Sequence, residues 1–90
     1  MQFKIKKYMI WLTVDKKGNE EIHSNLPIRI EEDEEIGFWL VRGYKQPYIK
    51  VPKGTIEKLI GKKLSWEDEP YKLDINLIFK NNGKKGIGNW

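Results

Sequence analysis

From Tyr71 to Phe79 every second residue is large and apolar (Tyr71, Leu73, Ile75, Leu77, Phe79), and Lys72, Asp74 and Asn76 stand between them. A helix of 3.6 residues per turn would scatter those apolar side chains around its circumference, whereas an extended strand puts them all on one face. This stretch is therefore a strand with one buried side. A one-sided strand needs partners and a covering layer before it is stable, so the rest of the chain must supply both.

Shorter alternating runs supply the partners. From Phe3 to Val14 the apolar positions run Phe3, Ile5, then Tyr8, Ile10, Leu12, Val14. That change of phase predicts a long strand with a bulge near Lys6 and Lys7, with Met9 and Trp11 on the opposite face. "DKKGN" reads as a turn in which Asp15 accepts backbone hydrogen bonds and Gly18 takes positive φ, returning the chain into a strand at 20–23. "LPIRIEE" alternates Ile28 and Ile30 about Arg29. The segment 37–54, "GFWLVRGYKQPYIKVPKG", reads as a hairpin closed by "GYKQP". Setting Arg42 opposite Tyr48 places Trp39, Val41, Ile49 and Val51 on a core face, and Phe38, Leu40, Arg42, Tyr48 and Lys50 on an outer one.

After Pro52 the period changes. Thr55 is a candidate helix cap, and Ile56, Leu59, Ile60 and Leu64 make one apolar stripe over 55–64, with Gly61 ending the regular part. A further turn is expected through "SWEDEP". These elements predict an α+β domain over 1–80: a mostly antiparallel sheet of about five strands with the short helix 55–64 on one face. A small bent, barrel-like sheet is the alternative. The expected interior is Leu73, Ile75, Leu77, Trp39, Val41, Ile49 and Val51, with Ile56, Leu59 and Ile60 against them. The glycine-rich stretch 81–90, ending in Trp90, reads as a flexible tail.

Ninety residues suit one domain. The chain has no cysteine, so neither disulfides nor thiol chemistry contributes, which suits a cytoplasmic protein. The apolar run from Tyr8 to Val14 is short for a signal-peptide core, is followed by no small-residue cleavage site, and nothing approaches a membrane span. Alanine is absent, lysine outnumbers arginine fifteen to two and isoleucine occurs twelve times; the underlying codons point to an A/T-rich genome, that of a low-GC bacterium or of its phages or mobile elements.

The chemistry-bearing residues are few. His23 is the only histidine, and its neighbour Ser24 would point to the opposite side of a strand, so the pair cannot act together. It reads as a surface histidine beside a turn. Carboxylates such as Glu34 and Glu67 have no metal-ligand spacing, "EEDEE" at 31–35 lacks a calcium-loop pattern, and the glycines of "GKKGIGNW" match no phosphate loop. No enzyme, cofactor or metal site is expected. What stands out is charge: residues 20–35 sum to −6 and residues 42–63 to +6, within a net charge of +4. Aromatic side chains and cations interleave in the basic half, which makes Phe38, Arg42, Tyr44, Lys45, Tyr48, Lys50 and Lys53 the candidate binding residues. Three partners fit that strip. A protein, engaged by an inhibitor or adaptor, comes first; a nucleic acid bound through its backbone is the alternative, and capture of an anionic small molecule such as a nucleotide, between the protomers of a dimer if one forms, is the third.

Overall fold

A computed structural model describes residues 2–43 and 47–81. Tyr44, Lys45 and Gln46, and the tail from residue 82 onward with Trp90, lie outside the described residues. The fold is α+β. Among the described residues, six strands and one helix follow in the order β1 (Gln2–Val14), β2 (Glu20–His23), β3 (Ile28–Glu31), β4 (Gly37–Leu40), β5 (Tyr48–Val51), α1 (Thr55–Ile60), β6 (Tyr71–Asn81). They form a four-stranded antiparallel sheet, β5-β2-β1-β6, and a two-stranded sheet, β3-β4, and close no barrel. Among the described residues no helix is long and apolar enough to cross a membrane.

The β1–β2 hairpin forms as its turn chemistry dictates. The Asp15 carboxylate accepts from the Lys17 and Asn19 amides at 2.9 and 2.8 Å, and Gly18 sits at φ 87°, where only glycine is unstrained. Pairing places Leu12 opposite both Ile22 and Tyr71, so these three share a face with Ile10, Val14 and Leu73. Against that face lies α1. Leu12, Val14 and Ile56 are buried there, with Ile10, Ile22, Ile60, Leu64, Tyr71 and Leu73 packed around them; each fully buried aliphatic side chain contributes roughly 1.5–3 kcal/mol.

Several expectations are corrected. β1 carries no bulge, because its register with β6 runs unbroken from Gln2 opposite Asn81 to Leu12 opposite Tyr71. The apolar phase shifts for another reason: β2 pairs only with residues Trp11 to Val14, so neither face at Lys6 and Lys7 has to be apolar. The helix ends at Ile60 rather than at 64, stopped by Gly61 at φ 78°, and Leu59 points outward, 48% exposed. Thr55 does not cap it. The cap is Gly54, and the Glu20 carboxylate accepts from the Gly54 and Ile56 amides at 2.7 and 2.8 Å. The side chain of Leu77 lies outside the described ones.

The largest correction concerns the segment 37–54. No β4–β5 hairpin forms: β4 pairs with β3, Arg29 opposite Trp39, and β5 pairs with β2, Glu21 opposite Lys50. The acidic run closes the β3–β4 turn, the Asp33 carboxylate accepting from the Glu35 and Ile36 amides at 2.7 and 2.8 Å. Those amide hydrogen bonds hold the Asp33 carboxyl below its usual pKa. Ile49, expected inside, is 60% exposed, because β5 is an edge strand beyond the reach of a six-residue helix.

The β3–β4 ribbon lies on the face of the sheet opposite α1. The Trp39 indole N–H donates to the Val14 carbonyl at 2.9 Å, and the Lys16 amide donates to the Gly37 carbonyl at 3.1 Å. Arg29 stacks its guanidinium between Trp39 and Trp66, 4.5 and 4.6 Å from the ring centres, and donates to the carbonyls of Trp66 and Asp68. That cation ties the 65–69 turn to the ribbon. Gly37 leaves room for the Trp66 ring, since a β-carbon there would stand 2.6 Å from it.

Candidate functional site

Directly opposed residues of an antiparallel pair share a face, so Thr13, Glu21 and Lys50 line up across β1, β2 and β5, and Trp11, His23 and Tyr48 form the next row. This is the face that the β3–β4 ribbon covers. Its polar side chains are consequently buried: Thr13 is 2%, Glu21 7% and His23 1% exposed. The surface position read for His23 is thus overturned. A second layer lies over it, and the Tyr48 ring stacks on the imidazole at 5.5 Å.

A pocket of about 460 Å³ opens between this face and β4, lined by Glu21, His23, Tyr48, residues 38–41 and Gly43. Thr13 Oγ1 lies 3.0 Å from His23 Nε2, and Glu21 Oε1 lies 3.5 Å from the same nitrogen. His23 Nδ1 is buried with no hydrogen-bond partner among the described residues. A nucleophile–base–carboxylate relay needs hydroxyl and carboxylate on opposite ring nitrogens. Here both crowd Nε2, and Thr13 is closed to substrate. The cluster is a polar core contact at the floor of the pocket. Among the described residues no three His, Cys, Asp or Glu side chains are placed to hold a metal ion.

Burial sets the protonation of the floor. It pushes the Glu21 carboxyl up from 4.5, helped by the charge of Asp15 and opposed by that of Lys50, and it pushes the His23 imidazole down from 6.5. The two groups then act on stability with opposite signs. Unfolded His23 takes up a proton near pH 6.5 while the folded form resists, so stability falls as pH drops below that value. Unfolded Glu21 ionises from pH 4.5 upward while the folded form keeps its proton longer, so stability falls as pH rises through the folded pKa. Urea unfolding at a series of pH values checks both signs. His23→Gln removes the loss on acidification through pH 6.5, and Glu21→Gln removes a loss on raising pH from 4.5; slopes identical to the wild type's would refute the assignment.

The predicted binding residues are only partly brought together. Phe38 and Tyr48 line the pocket. Arg42, exposed, stands between the lining residues Val41 and Gly43, and Lys50 is exposed on β5 opposite Glu21. Lys53 belongs elsewhere, beside Gly54, Glu57 and Lys63 at the start of α1. Tyr44 and Lys45 lie outside the described residues. Sequence reasoning missed Thr13, Glu21, His23, Arg29 and Trp66, because each reads as the solvent side of a strand or turn. The chain matches no known protein family, no curated protein and no solved structure.

Proposed function

We propose that the protein is a small non-enzymatic binding module that engages another protein, as an inhibitor or adaptor acting by occlusion, at the free edge of β5. The observation that carries this reading is the edge itself. β5 ends the four-stranded sheet, and the Ser24 amide donates to the Pro47 carbonyl. Alternation of the antiparallel ladder then turns the N–H and C=O of Tyr48 and Lys50 outward. Around them stand exposed apolar side chains, Tyr48 at 58%, Ile49 at 60% and Leu40 at 48%, with the cations of Arg42 and Lys50 alongside. An extended acidic segment fits this combination, adding as a strand by its main chain and seating side chains against Tyr48 and Leu40. Pro47 and Pro52 limit the paired stretch to about four residues. An anionic small molecule fits less well, because among the described residues no lysine or arginine lines the pocket, and its floor holds a carboxyl. The absence of cysteine and the A/T-biased composition support a cytoplasmic setting in a low-GC bacterium or its phages or mobile elements.

The test uses variants that distinguish side-chain from main-chain recognition. Tyr48→Ala should weaken the partner by about 1–2 kcal/mol, while losing at most about 1.5 kcal/mol of stability through its stacking on His23. Lys50→Pro removes an outward N–H without touching the β2 ladder, and Lys50→Gln removes only the charge. In quantitative pull-downs from a low-GC bacterial lysate treated with nuclease, the partner should be depleted by Tyr48→Ala and by Lys50→Pro well beyond Lys50→Gln. Equal recovery with all three variants and the wild type would end the proposal.

A further inference from the structure

We infer that the far end of the β1–β6 strand pair is a basic β-ribbon that binds the sugar-phosphate backbone of duplex nucleic acid, without sequence preference. The surface is distinct from the β5 edge. It also relocates the nucleic-acid reading of the sequence, away from the aromatic strip of 38–50.

Three observations support it. First, β2 covers only residues Trp11 to Val14 of β1; from Gln2 to Ile10 that strand pairs, among the described residues, with β6 alone. Among the described side chains, those packed on the apolar core reach no further along this pair than Ile10 and Leu73. Beyond them a two-stranded ribbon projects, with Lys6, Lys7, Tyr8, Met9, Asp74 and Asn76 exposed, and two strands alone are marginal in water. Second, the ribbon is basic. Residues 2–10 of β1 contain Lys4, Lys6 and Lys7 and no acid, and residues 73–81 of β6 contain Lys80 against Asp74, a balance of +3 within a net charge of +4. Third, the acidic turn is held at the opposite end of β1: Lys16, just past its last residue, pairs with Glu31 at 2.5 Å and donates to the Asp33 carbonyl at 2.6 Å. From Lys6 to Lys16 is about 30 Å of extended chain, several times the roughly 8 Å over which charge is screened in physiological salt.

The pleat decides between anionic partners. Lys6 and Lys7 are sequence neighbours on a strand and so point to opposite faces. A flat anionic surface such as a membrane meets one face only, whereas a groove with phosphates on both walls meets both. The major groove of B-form DNA, about 12 Å wide, admits a two-stranded ribbon. The ribbon contains no arginine, hence no bidentate reader of guanine, and its contacts are lysines acting as point charges on phosphates.

The experiment measures binding of a fluorescent mixed-sequence duplex of about 20 base pairs, long enough for two turns of B-form DNA. Three neutralised phosphates make affinity fall roughly 40-fold between 50 and 200 mM salt. The triple change Lys4→Thr, Lys6→Thr, Lys7→Thr should flatten the double-logarithmic salt slope by about 2.7. Lys4→Arg, Lys6→Arg, Lys7→Arg should retain binding, which separates loss of charge from loss of fold. As a control of equal charge, Lys53→Thr, Lys58→Thr, Lys63→Thr alters exposed lysines away from the ribbon and should keep the wild-type slope. No binding at 50 mM salt, equal losses in the ribbon and control triples, or equally tight ribbon-dependent binding to phosphatidylserine vesicles would each overturn the inference.

Discussion

Trp39→Ala should lower the stability of the domain by roughly 3–5 kcal/mol, the largest effect expected of any single substitution here. Trp39 is 6% exposed and joins three parts of the molecule. Its indole N–H holds the Val14 carbonyl at 2.9 Å, its ring meets Trp66 edge to face at 5.6 Å, and the Arg29 guanidinium lies over it at 4.5 Å. Alanine removes the packing, leaves a carbonyl without its donor and takes one of the two aromatic faces from a half-buried cation. A small domain has only about 5–15 kcal/mol in total, so the variant approaches unfolding at room temperature. Trp39→Phe isolates one component: it keeps an aromatic ring and loses the hydrogen bond, for about 1 kcal/mol. Urea titrations of both variants give the comparison, and a Trp39→Ala loss below about 1 kcal/mol would mean that the β3–β4 ribbon is not packed on the sheet as described.

Glu20→Ala should cost about 2–3 kcal/mol, because its carboxylate receives two backbone N–H groups and hydrogen bonds to charged groups contribute more than neutral ones. The bonds, 2.7 Å from Gly54 and 2.8 Å from Ile56, connect β2 to the first turn of α1. A helix of six residues has no stability of its own in water. It forms because Ile56 is buried in the core and because Glu20 holds its amino end. Hydrogen exchange reads this directly: in Glu20→Ala the Ile56 amide should exchange faster by a larger factor than the amides of β1, while Glu20→Gln, which keeps one acceptor, should fall between. Unchanged protection at Ile56 would show that packing alone holds the helix.

Particular residues show how far the sequence could be read. Asp15 and Gly18 specify their turn locally, since an Asx acceptor and a positive-φ glycine three residues apart admit few other conformations. The same chemistry was present in "EEDEE", where Asp33 caps the β3–β4 turn, but five consecutive acids read as a solvated run and hid the one that accepts backbone hydrogen bonds. "GYKQP" reads as a turn that closes a hairpin, yet the strands on either side of it pair elsewhere. Alternation assigns residues to faces and says nothing about which strand lies alongside, so Trp39 was correctly placed inside while its partner strand was wrong. The candidate site suffered more. Glu21 and His23 alternate with Ile22 as the polar side of a half-buried strand does, and only a second layer over that side makes them a buried pocket floor.

Local chemistry in the chain was therefore sufficient for the α+β class, the β1–β2 hairpin, the strand from Tyr71, the helix after Pro52 and the burial of Ile56 and Trp39, because period, turn residues and glycine conformation act over a few neighbours. The tertiary structure alone decided that β4 leaves β5 with a free edge, that β1 and β6 project as a ribbon, that Glu20 caps a helix 34 residues away, and that Thr13, Glu21 and His23 lie under Trp39. Each of those depends on contacts between segments distant in sequence, whose selection reflects the packing of the whole domain; no short stretch of the chain encodes it.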